Sequence, residues 1–224
     1  SILIQMWDSW DSVYQKRFID KFGHIASLLK IKVDHQLIRA MLQFWDPSYR
    51  CFVLNEVDLV PTHEEYAEIM GVKREHRGRV FWKNESSNIP KKLRLMDIPI
   101  EELCGHESNQ SMERYEITVF TSFLVKRPKS EGVLNAFAIL IYGLVVFPKN
   151  LGYIDPSVID LVGHVAHKGD PSTALLAETL MALSYCRRSK EKARFGGCTQ
   201  LLYMWMASHL SCLSYTEWFL VEDH

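Results

Sequence analysis

The sequence predicts a mainly α-helical domain with one small antiparallel β-hairpin near residues 49–59. Three observations predict it. Apolar residues recur at three- and four-residue spacing along most of the 224 residues, which is helical periodicity. Strand-like patterning is brief and confined to the run from Tyr49 to Leu59. Hydrophobic residues make up 47% of the chain, enough core for a single domain over 1–224, whole or as a piece of a longer protein.

Charge and cysteine content narrow the function classes. With 26 basic and 27 acidic residues there is no global field, so attraction to nucleic acid requires a local patch. Cys51, Cys104, Cys186, Cys198 and Cys212 are odd in number and widely spaced. That argues against a secreted disulfide framework and for an intracellular setting. Ser1 to Asp8 lacks a basic region ahead of a long apolar run, so no signal peptide is expected. Leu134 to Phe147 is shorter than a bilayer-spanning helix and ends at Pro148, so it is expected in the core, with no membrane association.

Taken in order, Leu3, Trp7, Trp10, Tyr14, Phe18 and Phe22 predict one long amphipathic helix with an aromatic seam, interrupted near Gly23. Asp34 caps a second helix carrying Leu37, Ile38, Met41, Leu42 and Trp45, which Asp46-Pro47 stops. Cys51 to Leu54 and Val57 to Leu59 form the two hairpin strands around Asn55-Glu56. Thr62 and Glu65 make a capping box for a helix closed by Gly71, with Glu64, Glu65 and Glu68 expected to face solvent. Val80 to Trp82 reads as a short strand and Pro90 to Leu95 as a short basic helix. Asp97 is a cap for a small element reaching Leu103, and Gly105 to Ser111, without apolar anchors, reads as a mobile loop. Met112 to Val125 fits a helix by spacing and a strand by composition; helix is the reading adopted.

After a break at Lys126 to Gly132, the stretch Val133 to Phe147 is apolar on more than one face and is the expected central helix. Asp155-Pro156 opens a helix running to Ala166. Pro171-Ser172-Thr173 starts an apolar helix ending in Arg187-Arg188-Ser189-Lys190. Gly196-Gly197 then leads into another, with Leu201, Leu202, Trp205, Met206 and His209. These two are expected as an antiparallel framework pair. Ser214 and Glu217 form a further capping box. Trp45, Phe137, Ile141, Leu176, Leu202 and Trp205 are the expected core.

Motifs that carry chemistry are sparse. There is no glycine-rich phosphate loop, serine elbow or His-Glu-x-x-His pair, and no lysine has a pyridoxal-type setting, so no cofactor and no catalytic residue are assigned. Gly196-Gly197 ahead of a helix suits an anion with Arg194 nearby, but a turn allowing close helix approach is the favoured role. His164 with His167, and His209 with Cys212, would provide four zinc ligands if their faces met; ordinary packing is the default for all four. The basic segments supply Arg74, Arg77 and Arg79, then Lys91, Lys92 and Arg94, then Arg187, Arg188, Lys190 and Arg194. If folding gathers them, they are the candidate contacts to DNA or RNA phosphates.

Several segments, in order, resemble the plant mobile domain family, the aminotransferase-like domain of plant host proteins and transposable elements. They are Gln43 to Pro47 with Arg50-Cys51-Phe52, Asp58 to Tyr66 with Gly71, and Leu140 to Pro148. Leu175 to Leu180, and Gly196 to Leu202 leading to Trp205 and His209, complete the set. The Gln43-Phe44-Trp45-Asp46-Pro47 segment most resembles that of a transposon-related, uncharacterised plant branch. Relatives often carry an acidic residue just before the terminal histidine, where this chain has Ser208. The resemblance implies a helical domain of plant nuclear proteins, some acting with phosphatase-like partners in transposon silencing and genome maintenance, and transfers no catalytic residue. The expected function is thus a non-catalytic protein-interaction domain, nuclear, using exposed apolar residues of the first or terminal helix for a protein partner or for self-association. A sequence-nonspecific nucleic-acid module is the alternative, and an uncharacterised enzyme comes third.

Overall fold

Aromatic packing organises the N-terminal part of the fold. The computed structural model describes residues 2–55, 57–81, 88–99, 115–127, 130–148, 152–189 and 195–210. It contains α1 (Ile2–Ser9) and α2 (Ser12–Phe22) where one long helix was expected. Asp11 makes the break, because its carboxylate accepts the Tyr14 backbone N–H at 2.8 Å and caps α2. The seam itself is buried: Trp10, Tyr14, Phe18 and Phe22 point into the core and Trp7 lies partly buried against it. The aromatic seam is therefore core, and the exposed large apolar residues of these two helices are Ile2 and Val13.

Gly23 ends α2 with φ +70°, and the His24 backbone N–H donates to the Met70 carbonyl at 2.7 Å. A Cβ at residue 23 would fall inside the van der Waals envelope of that same Met70 oxygen. Gly23→Ala is expected to cost about 2–3 kcal/mol, from backbone strain together with the clash. Urea unfolding checks it, and a loss below about 0.5 kcal/mol would mean the close approach to Met70 is absent in solution.

A 3₁₀ turn (Ile25–Lys30) leads to α3 (His35–Gln43), capped as expected by Asp34, which accepts from Gln36 and Leu37 at 2.8 and 3.1 Å. The helix ends before Trp45, which lies instead in β1 (Trp45–Asp46). The hairpin forms where predicted, as β2 (Cys51–Leu54) and β3 (Val57–Leu59) with Phe52 opposite Leu59 and Leu54 opposite Val57. Pairing of Trp45 with Phe52 adds β1 as a third strand. A two-residue strand has no alternation to read, so periodicity could not reveal it.

The capping box at Thr62 and Glu65 opens α4 (His63–Ile69), and Asn88 caps the short α5 (Ile89–Leu95). Val80 makes a single parallel bridge to Asp170 rather than a strand; Trp82 lies outside the described residues. The ambiguous stretch divides into β4 (Tyr115–Glu116) and α6 (Ile117–Lys126). Then comes α7 (Glu131–Ile141), buried at every position from Gly132 to Ile141 and continuing into a π-helical turn, Tyr142–Val146. That turn is followed by β5 (Tyr153–Ile154), which pairs antiparallel with β4.

The central helix is buried on every side, its one buried polar side chain, Asn135, donating to the Met96 carbonyl at 2.7 Å, because it has neighbours all round. α6, the Ile25–Lys30 turn and α8 (Pro156–Ala166) all pack against it. The last described helices are α9 (Ser172–Arg188) and α10 (Thr199–Leu210). They do not lean mainly on each other, as the expected framework pair would; both pack chiefly on α4. Tyr66 donates to Thr179 at 3.3 Å on the α9 side, and the Trp205 indole donates to Glu65 at 3.1 Å on the α10 side. Leu176 is only partly buried, and Leu175, one position earlier on the helix, holds the core place expected of it. The element expected at 100–103, the loop at 105–111, the Ser214–Glu217 box, Cys104 and Cys212 lie outside the described residues. No helix among the described residues is long and apolar enough to cross a membrane.

Candidate functional site

One side of α9 has no covering element among the described residues. At helical spacing, Ala177, Met181 and Tyr185 fall on one stripe, and Met181 and Tyr185 are 60% and 67% exposed. Beside them runs an open groove of about 590 Å³ whose apolar floor includes Leu180 and whose rim carries Ser184, Arg50, Arg188 and Ser189. Arg50 reaches this place because residues 47–50 form the turn between β1 and β2, with Arg50 at φ 58°. Arg188 is held loosely, its guanidinium donating to the Pro47 carbonyl at 3.4 Å. No carboxylate lines the groove among the described residues. Two guanidiniums above an apolar floor suit a ligand that presents carboxylate beside apolar surface. Sequence periodicity missed the site because α9 is apolar on most sides, so only its neighbours decide which side stays bare.

Gly197 supports the same arrangement from behind. A Cβ there would stand 3.4 Å from the Ala182 Cβ of α9 and closer still to the Phe195 ring, which fits the close-approach role read from the sequence.

A second cluster ties α4 to α10. Glu65, expected to face solvent, is half-buried and accepts from the Thr62 N–H at 2.8 Å, the Thr62 hydroxyl at 2.9 Å and the Trp205 indole at 3.1 Å. Its other oxygen is 2.9 Å from His209 Nε2, while His209 Nδ1 is 2.9 Å from the Trp205 carbonyl. Glu65, on a helix distant in sequence, is thus the acidic partner of His209, whose chain neighbour is Ser208. Both ring nitrogens of His209 face protein oxygens, so the histidine clamps α10 onto α4.

Burial pushes the Glu65 carboxyl up, but donation by the Thr62 N–H, the Thr62 hydroxyl and the Trp205 indole, with the His209 charge, holds it below the ordinary value of 4.5. A depressed carboxyl pKa contributes stability that is present above the ordinary value and is lost as pH falls through the folded one. The stability difference between the wild type and Glu65→Gln is therefore expected to be present at neutral pH and to shrink below about pH 4. Thermal midpoints over a pH series check this, and a pH-independent difference would contradict it. Thr62→Ala, which removes the cap and one Glu65 donor, is expected to cost about 1 kcal/mol.

The basic segments are partly gathered. The Arg79 carbonyl contacts His164 Nε2 at 2.6 Å, and Lys92 pairs with buried Asp160 one turn earlier on α8. The first two segments therefore meet across α8, leaving Arg74, Arg79, Lys91 and Arg94 exposed. Arg77 turns inward, donating to the Val72 carbonyl at 3.3 Å. Arg187 and Arg188 are at the far end of α9, whose N-terminus adjoins Asp170, and Asp170 itself accepts from the Gly78 N–H at 2.9 Å. The length of α9, about 25 Å, separates them from the other two segments. Lys190 and Arg194 lie outside the described residues. Lys73 and Lys168 extend the first segment and, with Arg79, lower the pKa of His76, an effect led by burial and opposed by Glu75.

His164 and His167 line one groove with Lys92 and Asp160, His167 Nδ1 being 2.7 Å from the Gly163 carbonyl. His209 belongs to the other cluster, and Cys212 is outside the described residues. Among the described residues no group of three or more His, Cys, Asp or Glu side chains is arranged to hold a metal ion. Cys198 is pushed up to about 12 by burial, and burial also raises Cys186 and Cys51, the latter helped by Asp58 and Asp46. These thiols stay protonated at neutral pH and pack as small apolar groups.

Fold and groove together define a mainly helical domain with one open, cation-rimmed helix face. Residues 3–217 match the family model described as a domain of unknown function, DUF7745, and the chain belongs to that family. No curated protein and no solved structure matches it.

Proposed function

We propose that this is a non-catalytic protein-interaction domain of a plant nuclear protein, related to the plant mobile domain group and its transposon-derived members, and serving silencing or genome maintenance. Its docking face is the bare side of α9. The observation that carries this reading is the apolar stripe of Met181 and Tyr185 flanked by Arg50 and Arg188, with no described residue covering it. The engagement of both His209 ring nitrogens within the fold favours a structural rather than a catalytic role for the most chemistry-like pair. Partners recovered with the full-length protein are to be purified and mixed directly with wild type, Met181→Glu and Tyr185→Ala. Both side chains are exposed, so the thermal midpoint should hold while binding weakens about tenfold or more. Unchanged binding by both variants would remove α9 as the docking face.

A second reading, sequence-nonspecific nucleic-acid binding, is favoured by the meeting of two basic segments across α8. It expects saturable binding of random DNA or RNA that falls steeply as salt rises and weakens when Arg74, Arg79, Lys91 and Arg94 are neutralised. Fluorescence titration at two salt concentrations checks it; lack of saturation at low salt would end it.

A further inference from the structure

We propose that the partner seated on α9 is a second copy of this chain, the two α9 helices crossing antiparallel about a two-fold axis near residue 183. The inference rests on the reading of α9 as a docking face and commits that face to one occupant. Its ground is the order of chemistry along the helix. Glu178 stands toward the N-terminal half, Met181 and Tyr185 follow, and Arg188 closes the stripe with Arg50 beside it. At 100° per residue these α9 side chains share one side. Among the described residues Glu178 makes no ion pair, and neither Arg50 nor Arg188 meets a carboxylate; Glu178 at one end and the two arginines toward the other are charges of opposite sign left without ionic partners.

Such a face complements itself when reversed. An antiparallel copy sets Glu178 against Arg188 of the partner subunit, and the same pair recurs on the other side of the axis. Met181 then lies over Tyr185 of the partner subunit, a thioether-on-ring contact, again twice. Ala177 and Ser184 are small enough to let the two backbones approach. Antiparallel helix dipoles add to this arrangement, whereas a parallel pair would bring Arg188 against Arg188 and Glu178 against Glu178. The formal net charge of −1 brings no global repulsion between copies. One helix pair is a small interface, so dissociation constants on the order of 10–100 µM are expected.

Sedimentation velocity of the purified chain over a concentration series tests this with wild type, Glu178→Arg, Arg188→Glu and the equimolar mixture of the two variants. Wild type should dimerise with rising concentration. Each single variant should associate about tenfold more weakly, because like charges now meet twice. The mixture should recover wild-type association, since each mixed pair restores both opposite-charge contacts. Circular dichroism should show the variants folded, as Arg188 is exposed and Glu178 only partly buried. A wild type monomeric throughout would overturn the proposal, and so would a mixture no stronger than its components. The docking reading has its own readout: if wild type stays monomeric while Met181→Glu still abolishes binding of a purified heterologous partner, α9 remains the docking face and only the second copy is excluded.

Discussion

Phe137→Ala is expected to lower the unfolding free energy by about 3–5 kcal/mol. Phe137 is fully buried in α7, and the rings of Trp7, Trp10 and Phe18 surround it at centroid distances of 6.2, 4.7 and 5.4 Å. Removing the ring loses its own transfer free energy and its edge and face contacts with those neighbours. It also leaves a cavity that the surroundings cannot readily close. The neighbouring rings are carried on α1, α2 and the Trp10–Asp11 junction, and Trp10 and Phe18 are themselves locked against Tyr14 and Phe22. Phe137→Leu, which keeps more volume, should cost clearly less. Chemical denaturation of both variants makes the comparison. A loss under about 1.5 kcal/mol for Phe137→Ala would show that the aromatic cluster collapses into the space.

Leu202→Ala should cost about 2–5 kcal/mol, for a different reason. Leu202 is fully buried on α10, and this helix joins the fold through α4 and the π-helical turn after α7. Leu201, Trp205 and Met206 occupy the same buried side, with the Trp205 ring stacked on Phe52 at a centroid distance of 5.8 Å and an interplanar angle of 27°. Trimming Leu202 loosens the apolar half of an attachment whose polar half is Glu65 with Trp205 and His209. Met204, only partly buried, is the internal control, and its alanine variant should cost about 1 kcal/mol or less. A loss below about 1 kcal/mol for Leu202→Ala would mean that α10 does not enclose it.

The sequence by itself determined what lies within a few residues of chain. The caps at Asp34, Thr62 and Asp155 formed as read, since a cap needs only a side chain and an N–H two or three residues on. The hairpin at Cys51 to Leu59 and the buried helix behind Leu134 to Phe147 were legible for a similar reason: turn chemistry and apolar density are local properties. Periodicity also identified the buried side of Trp10, Tyr14, Phe18 and Phe22, though it could not register that Asp11 would rather cap α2 than continue α1.

Tertiary structure alone decided everything that depends on which faces meet. Glu65 and His209 are distant in sequence, and nothing near either residue announces the other; α4 brings them together by packing on α10. Likewise, the first two basic segments meet because Arg79 and Lys92 both touch α8, while Arg187 and Arg188 are carried to the far end of α9. The open face of α9 is the clearest instance. Leu175, Thr179 and Leu183 are buried, yet Met181 and Tyr185 on the same helix are bare. Hydrophobicity states that an apolar side chain gains by leaving water but not which surface will cover it, so a helix apolar on most of its sides shows its free side only when its neighbours are in place.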